Sequence, residues 1–130
     1  MPAVFPAAGG GAALEQAIAA LSAKASQAAR DGYRLIVLSD RTLDAVNAPI
    51  PSLLALSAVH HHLVREGSRT RVALIVESGE PREVMHFALL IGYGASAINP
   101  YLAFETIEDE CRRGHIKAPF EKALKNYIKS

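Results

Sequence analysis

The sequence predicts an α/β fold, a small open parallel sheet of three to four strands flanked by helices. Three observations carry that expectation. Short branched apolar runs at 34–38, 71–76 and 95–98 alternate with longer segments whose apolar residues recur at helical spacing. The intervening segments are long enough for the crossover helices that parallel strands require. Glycine and proline punctuate the junctions, as at Gly32, Gly67, Pro81, Gly92 and Pro100.

Taken in order, residues 1–11 hold Pro2, Pro6 and the Gly9-Gly10-Gly11 run and read as a flexible or surface-draped lead-in. Residues 12–130 form the domain body. The alanine-rich stretch 12–30 places Leu14, Ile18 and Leu21 at helical spacing and ends near Gly32. Residues 34–38 then form a buried strand with the polar carboxyl end Ser39-Asp40-Arg41. A loop over 39–51, with two prolines and Asn47, is long enough to be functional.

Residues 52–65 carry Leu53, Leu56, Val59, Leu63 and Val64 on neighbouring helical positions and predict a second helix. After the second strand, Ser78-Gly79-Glu80-Pro81 turns the chain into a third helix over 81–91. The third strand follows at 95–98. Asn99 is expected to cap, and Pro100 to open, a helix to about 113, with a last helix over 120–128. Three strands are too few for a closed barrel or a full doubly wound sheet, so the domain is small or cut from something larger.

Half of the 130 residues are apolar, and 14 basic against 13 acidic residues leave a formal charge of +1. That balance supplies no field for nucleic acid or an anionic membrane, and the basic residues are dispersed without interleaved aromatics. Neither partner is expected. The single cysteine, Cys111, cannot make an internal disulfide or supply a zinc or iron-sulphur site by itself. With no signal-peptide pattern and no bilayer-length apolar run, a cytoplasmic location is expected.

His60-His61-His62 invites a metal or partner-binding reading over 60–66, but adjacent helical residues diverge by about 100° and cannot converge on one ion. Helix packing is the simpler account, with His60 sharing a face with Leu56 and Leu63. Glu66, His86 and His115 complete no recognisable ligand pattern. Ser78-Gly79-Glu80 stands where phosphate-binding turns occur, yet Glu77 and Glu80 repel an anion and capping explains it. Gly92-Tyr93-Gly94 follows a helix and precedes a strand, the reverse of a dinucleotide turn, and reads as a helix stop. Asp40-Arg41 lies at the strand edge where α/β folds place ligands; with a histidine it would suit a small hydrolase or lyase, and without one it is a loop-closing ion pair. Ser57 and Cys111 lie inside expected helices and read as packing residues.

A longer pattern is more specific than any of these. Leu38-Ser39-Asp40-Arg41, Pro49-Ile50-Pro51-Ser52-Leu53-Leu54-Ala55 and 58–67 around the histidines come first. Val76-Glu77-Ser78-Gly79-Glu80-Pro81, Ile91-Gly92-Tyr93-Gly94-Ala95 and Asn99-Pro100-Tyr101-Leu102-Ala103-Phe104-Glu105 follow in order. Together they closely resemble the central domain of the glutamate synthase large subunit. The resemblance implies a larger enzyme with FMN and a three-iron (3Fe-4S) cluster, making glutamate from glutamine and 2-oxoglutarate with electrons from a reduced nicotinamide or ferredoxin. It implies adjacent amidotransferase and synthase domains as partners, with catalytic groups, flavin and cluster held outside these 130 residues. It also implies a connecting role that shapes an ammonia passage. The loop residues Ser39, Asp40, Arg41, Thr42 and Asn47 are the candidates for that passage or for an interdomain surface. Cut free of its neighbours, such a piece is expected to self-associate through exposed apolar surface.

Overall fold

The first long helix, α1 (Gly10–Arg30), turns small side chains inward: Ser22, Ala25, Ser26 and Ala29 are buried with Leu21. Small residues let its backbone approach α2 (Ser52–Arg65), which buries Ala55, Leu56, Val59 and Leu63 at helical spacing. All 130 residues are described in this computed structural model. The strands are β1 (Val4–Pro6), β2 (Leu35–Ser39), β3 (Asn47–Pro49), β4 (Ala73–Glu77) and β5 (Ala97–Asn99). The remaining helices are α3 (Val84–Gly92), α4 (Tyr101–Arg112) and α5 (Phe120–Lys129).

The main sheet is parallel, in the order β2-β4-β5, with Ile36 opposite Leu74 and Val76 opposite Ile98. Strand order follows chain order, and right-handed crossovers therefore put α2 and α3 on the same face. Burial agrees. Ile36, Leu38, Leu74 and Val76 are buried beneath the helices, while Leu35 and Val37 on the opposite face are 64% and 37% exposed. The strand expected to be buried is thus half-buried, because α2 and α3 cover one side of the sheet.

The lead-in differs most from expectation. Residues 1–3 run along the outer edge of β2: the Ser39 N–H donates to the Met1 carbonyl (3.0 Å) and the Ala3 N–H to the Ser39 carbonyl (2.7 Å). Ala3 belongs to the core, at 4% exposure. β1 then pairs antiparallel with β3, Val4 opposite Pro49 and Pro6 opposite Asn47, so the expected loop 39–51 contains a short strand. Prolines are compatible with such edge positions because an edge strand leaves half of its N–H groups unpaired in any case. Gly10 and Gly11 begin α1 rather than preceding it, and Gly9 stands at its cap.

Two further boundaries shift. Pro81 does not begin α3, because Glu83 is extended and the Arg82 N–H donates to His86 Nδ1 at 3.0 Å. Asn99 does not cap α4; its side chain donates to Glu77 Oε2 at 3.0 Å. No helix is long and apolar enough to cross a membrane.

Candidate functional site

The carboxyl ends of the three parallel strands gather the polar residues of the chain that lie closest to a site. Asp40 follows β2 directly, and its side chain turns inward to 5% exposure. A buried carboxylate requires donors, and it has them. Ser78 Oγ donates to Oδ2 at 2.6 Å, the Gly79 N–H to the same oxygen at 3.1 Å, and the Tyr101 hydroxyl to Oδ1 at 2.7 Å. Ser78 in turn accepts from the Glu80 N–H. One carboxylate thus ties together the segments that follow β2, β4 and β5.

A second layer lies on the open side of the sheet. Glu77, at the end of the central strand, accepts from Ser39 Oγ at 2.6 Å and from the Asn99 side-chain amide. Arg41 reaches over this edge, 2.9 Å from Glu105 and 3.7 Å from Glu77, with its guanidinium carbon 4.5 Å from the centre of the Tyr101 ring. These pairs are half exposed and individually weak, on the order of 0–1 kcal/mol each. Their effect is geometric: they orient the start of the loop.

Beyond Arg41 the loop is held by its own residues. The Asp44 carboxylate accepts from the Val46 and Asn47 N–H groups at 2.8 Å and from the Asn47 side chain; these bonds, the Val46 N–H first, hold that carboxyl below its ordinary range. Asn47 is therefore committed to β3 and the turn. Thr42 is exposed at the outer bend of the loop. Ser39, Asp40 and Arg41 meet in one network, whereas Thr42 and Asn47 lie outside it.

This arrangement offers little acid–base chemistry. Both oxygens of Asp40 are occupied, and Arg41 is shared between two carboxylates. Burial, then the bond to Asp40, push the Tyr101 hydroxyl up to about 12, so it remains protonated at neutral pH. No histidine hydrogen-bonds to Asp40 or Arg41. His60 instead accepts from Arg69 Nε at 2.9 Å, His61 Nδ1 lies 2.9 Å from the Ser57 carbonyl, and His62 Nε2 lies 3.4 Å from Glu66. His60 and His61 turn to different partners, and His62 Nε2, near Glu66, makes no hydrogen bond, so the three rings do not converge. No group of three or more histidine, cysteine, aspartate or glutamate side chains is placed to hold a metal.

The Ser78-Gly79-Glu80 turn is a capping device of an unexpected kind. Glu80 Oε2 accepts from the Ser52 N–H (2.8 Å) and Ser52 Oγ (2.6 Å), so it caps α2 from another segment of the chain. Sequence reasoning named Ser78, Glu80 and Tyr101 within motifs but linked none of them to Asp40. It passed over Asp44, although Asp44 followed three residues later by Asn47 is a turn signal. Glu77 and Asn99 were read as an anion-repelling charge and a helix cap rather than as partners, and nothing local to Glu105 announces its pairing with Arg41.

Comparison with known proteins agrees with the motif pattern. Residues 1–130 match the family model described as glutamate synthase central domain. The chain is 50% identical over 117 residues to the glutamate synthase [NADPH] large chain of Bacillus subtilis, covering 90% of this chain and 8% of that one. It is 52% identical over 94 residues to the ferredoxin-dependent glutamate synthase of Pyropia yezoensis, covering 71% and 6%. To the glutamate synthase [NADPH] large chain of Azospirillum brasilense it is 40% identical over 129 residues, covering 98% and 8%. The chain spans less than a tenth of the length of these relatives.

Proposed function

This chain belongs to the glutamate synthase central-domain family, and from that premise we propose that it is a non-catalytic connecting domain of the large chain. It joins the amidotransferase and synthase domains, and its 39–51 loop shapes the route by which ammonia passes between them. The observation that carries this reading is the saturated Asp40 network. It fixes the loop at the carboxyl edge of the sheet while committing both oxygens of Asp40 to donors within the fold.

A passage for a small neutral molecule needs shape and exclusion of water rather than proton transfer. A loop tied down at Asp40, at Asp44 and through β3 meets that need: its backbone is set and its outer residues face away from the domain. The FMN and 3Fe-4S cluster of the larger enzyme have no fitting place in this chain. A cluster needs several thiolates, and Cys111 is the only cysteine. The carboxylates Asp40, Glu77 and Glu105 at the strand edge would repel a flavin phosphate. The redox chemistry that those groups would supply belongs to the neighbouring domains.

The test is made in the full-length enzyme. Thr42→Trp is expected to uncouple the two half-reactions, with glutamine hydrolysis continuing while glutamate formation falls. Unchanged stoichiometry between the two would remove the loop from the passage.

A further inference from the structure

The two edges of the parallel sheet are treated differently. The edge along β2 is closed by residues 1–3, with Met1, Ser39 and Ala3 exchanging backbone hydrogen bonds. The edge along β5 is bare: β5 pairs with β4 and with nothing on its other side. An edge strand of this kind presents alternate unpaired N–H and C=O groups, ready to bind another strand.

Beside that edge lies a cavity of about 340 Å³. Ala97 and Ile98 of β5 form its floor, Phe87 and Ile91 of α3 one wall, and Phe104 and Tyr127 of α4 and α5 the other. Tyr127 meets Phe87 and Phe104 edge-on, and its hydroxyl donates to the Arg82 carbonyl, so its polar atom is engaged elsewhere and the lining is apolar. Ile91 and Ile128 at the rim are 62% and 65% exposed. The edge residues Ser96 and Ala97 are small, so a second backbone can approach.

The geometry points to an extended segment of the longer glutamate synthase chain, apolar at alternate positions, adding to β5 as a fourth parallel strand. Its inward side chains occupy the cavity and its backbone completes the edge. Strand order argues for the same chain as donor. Each step from β2 to β4 to β5 moves one place in the same direction through a right-handed crossover, and α4 with α5 supplies the next helical layer, with Ser130 already at the cavity. Relatives more than ten times as long have the chain to provide it. This inference rests on membership in that long chain and is independent of the ammonia route.

Two measurements on the full-length large chain test it. By hydrogen exchange, the amide of Ala97, which alternates with the Ser96 N–H that donates to Leu74 and so faces away from β4, is expected to exchange on the order of a hundredfold more slowly than that of the exposed Thr42; equal rates would overturn the added strand. A benzophenone amino acid placed at Ile91 is expected to cross-link within the same chain, to a segment outside these 130 residues. A link to a second copy or to another subunit, or no link, would overturn the assignment of the occupant. Neither readout depends on ammonia transfer, so a failed Thr42→Trp result and a failed strand are separable.

Discussion

The hydroxyl of Tyr101 donates to Oδ1 of Asp40 at 2.7 Å, joining the first turn of α4 to the end of β2 across 61 residues of chain. Removing that donor leaves a buried carboxylate short of one partner, which costs about 1–3 kcal/mol. Tyr101→Phe is therefore expected to lower the urea midpoint with an unchanged m-value. The bond also has a pH signature. The folded-state pKa of about 12 stands above the ordinary 10.0, so the contribution is complete below pH 10 and is lost as pH rises through 12. Tyr101→Phe should remove that alkaline component, read as a difference between the two stability profiles.

Gly94 illustrates a different constraint. Its φ of 109° lies where side chains are strained, and a Cβ there would meet His60 Nδ1 at a separation no real contact shows. Gly94→Ala is expected to cost on the order of 2–4 kcal/mol by equilibrium unfolding. Shortening the ring in the double variant with His60→Ala should recover the steric part and leave the backbone part. A strictly additive pair would mean that the two residues do not touch.

Arg69 is the hub on which His60 is mounted. Besides the bond to His60, its terminal nitrogens donate to the carbonyls of Val72 and Gly94, both at 2.7 Å. Lysine cannot reproduce a three-way fork, so Arg69→Lys is expected to destabilise by roughly 2 kcal/mol. Burial first, then the charges of Arg69 and His61, lower the His60 pKa below 6.5. The neutral ring is the form the fold favours: its contribution is present above pH 6.5 and is lost as pH falls through the depressed folded-state value. An NMR titration of Arg69→Met should show the His60 midpoint moving up towards its ordinary value.

How far the sequence reveals these features depends on how local their physics is. The α2 stripe of Leu56, Val59 and Leu63, the glycine stop at Gly92-Tyr93-Gly94 and the strand at 71–76 each follow from a few adjacent residues, and the structure has them close to where periodicity put them. The ordered run from Leu38 to Glu105 carried the family, because many short matches in sequence are jointly specific. Long-range partners were illegible. Nothing near Asp40 announces Tyr101, and nothing near Ser52 announces Glu80 as its cap. The edge strand at 4–6 was hidden because proline disfavours central strands but not edges, and composition cannot tell the two apart.

The Glu80 cap should be modest but measurable. Glu80→Gln keeps the shape and removes the charge facing the amino end of α2, where a carboxylate contributes about 0.3–1 kcal/mol. The loss should shrink as salt is added, since screening weakens the charge but not the hydrogen bonds. A salt-independent loss would assign the effect to geometry alone.

Separated from the rest of the enzyme, the 130-residue chain carries two apolar surfaces with no cover. One is the open sheet face at Leu35 and Val37; the other is the outside of α3, where Val84 and Met85 are each 64% exposed and Leu89 is 41% exposed. Parallel sheets are ordinarily covered on both faces, and a helix this apolar is ordinarily buried. Burying one such side chain against a second copy contributes about 1.5–3 kcal/mol, enough for a few together to drive association. Sedimentation of the isolated chain should therefore show an average mass that rises with concentration. Met85→Lys and Leu35→Lys should each weaken association by about tenfold or more, equivalent to ~1.4 kcal/mol. A chain that remains monomeric at all concentrations would show that these faces do not pair with themselves, and would make a shaped surface of a neighbouring domain their required partner.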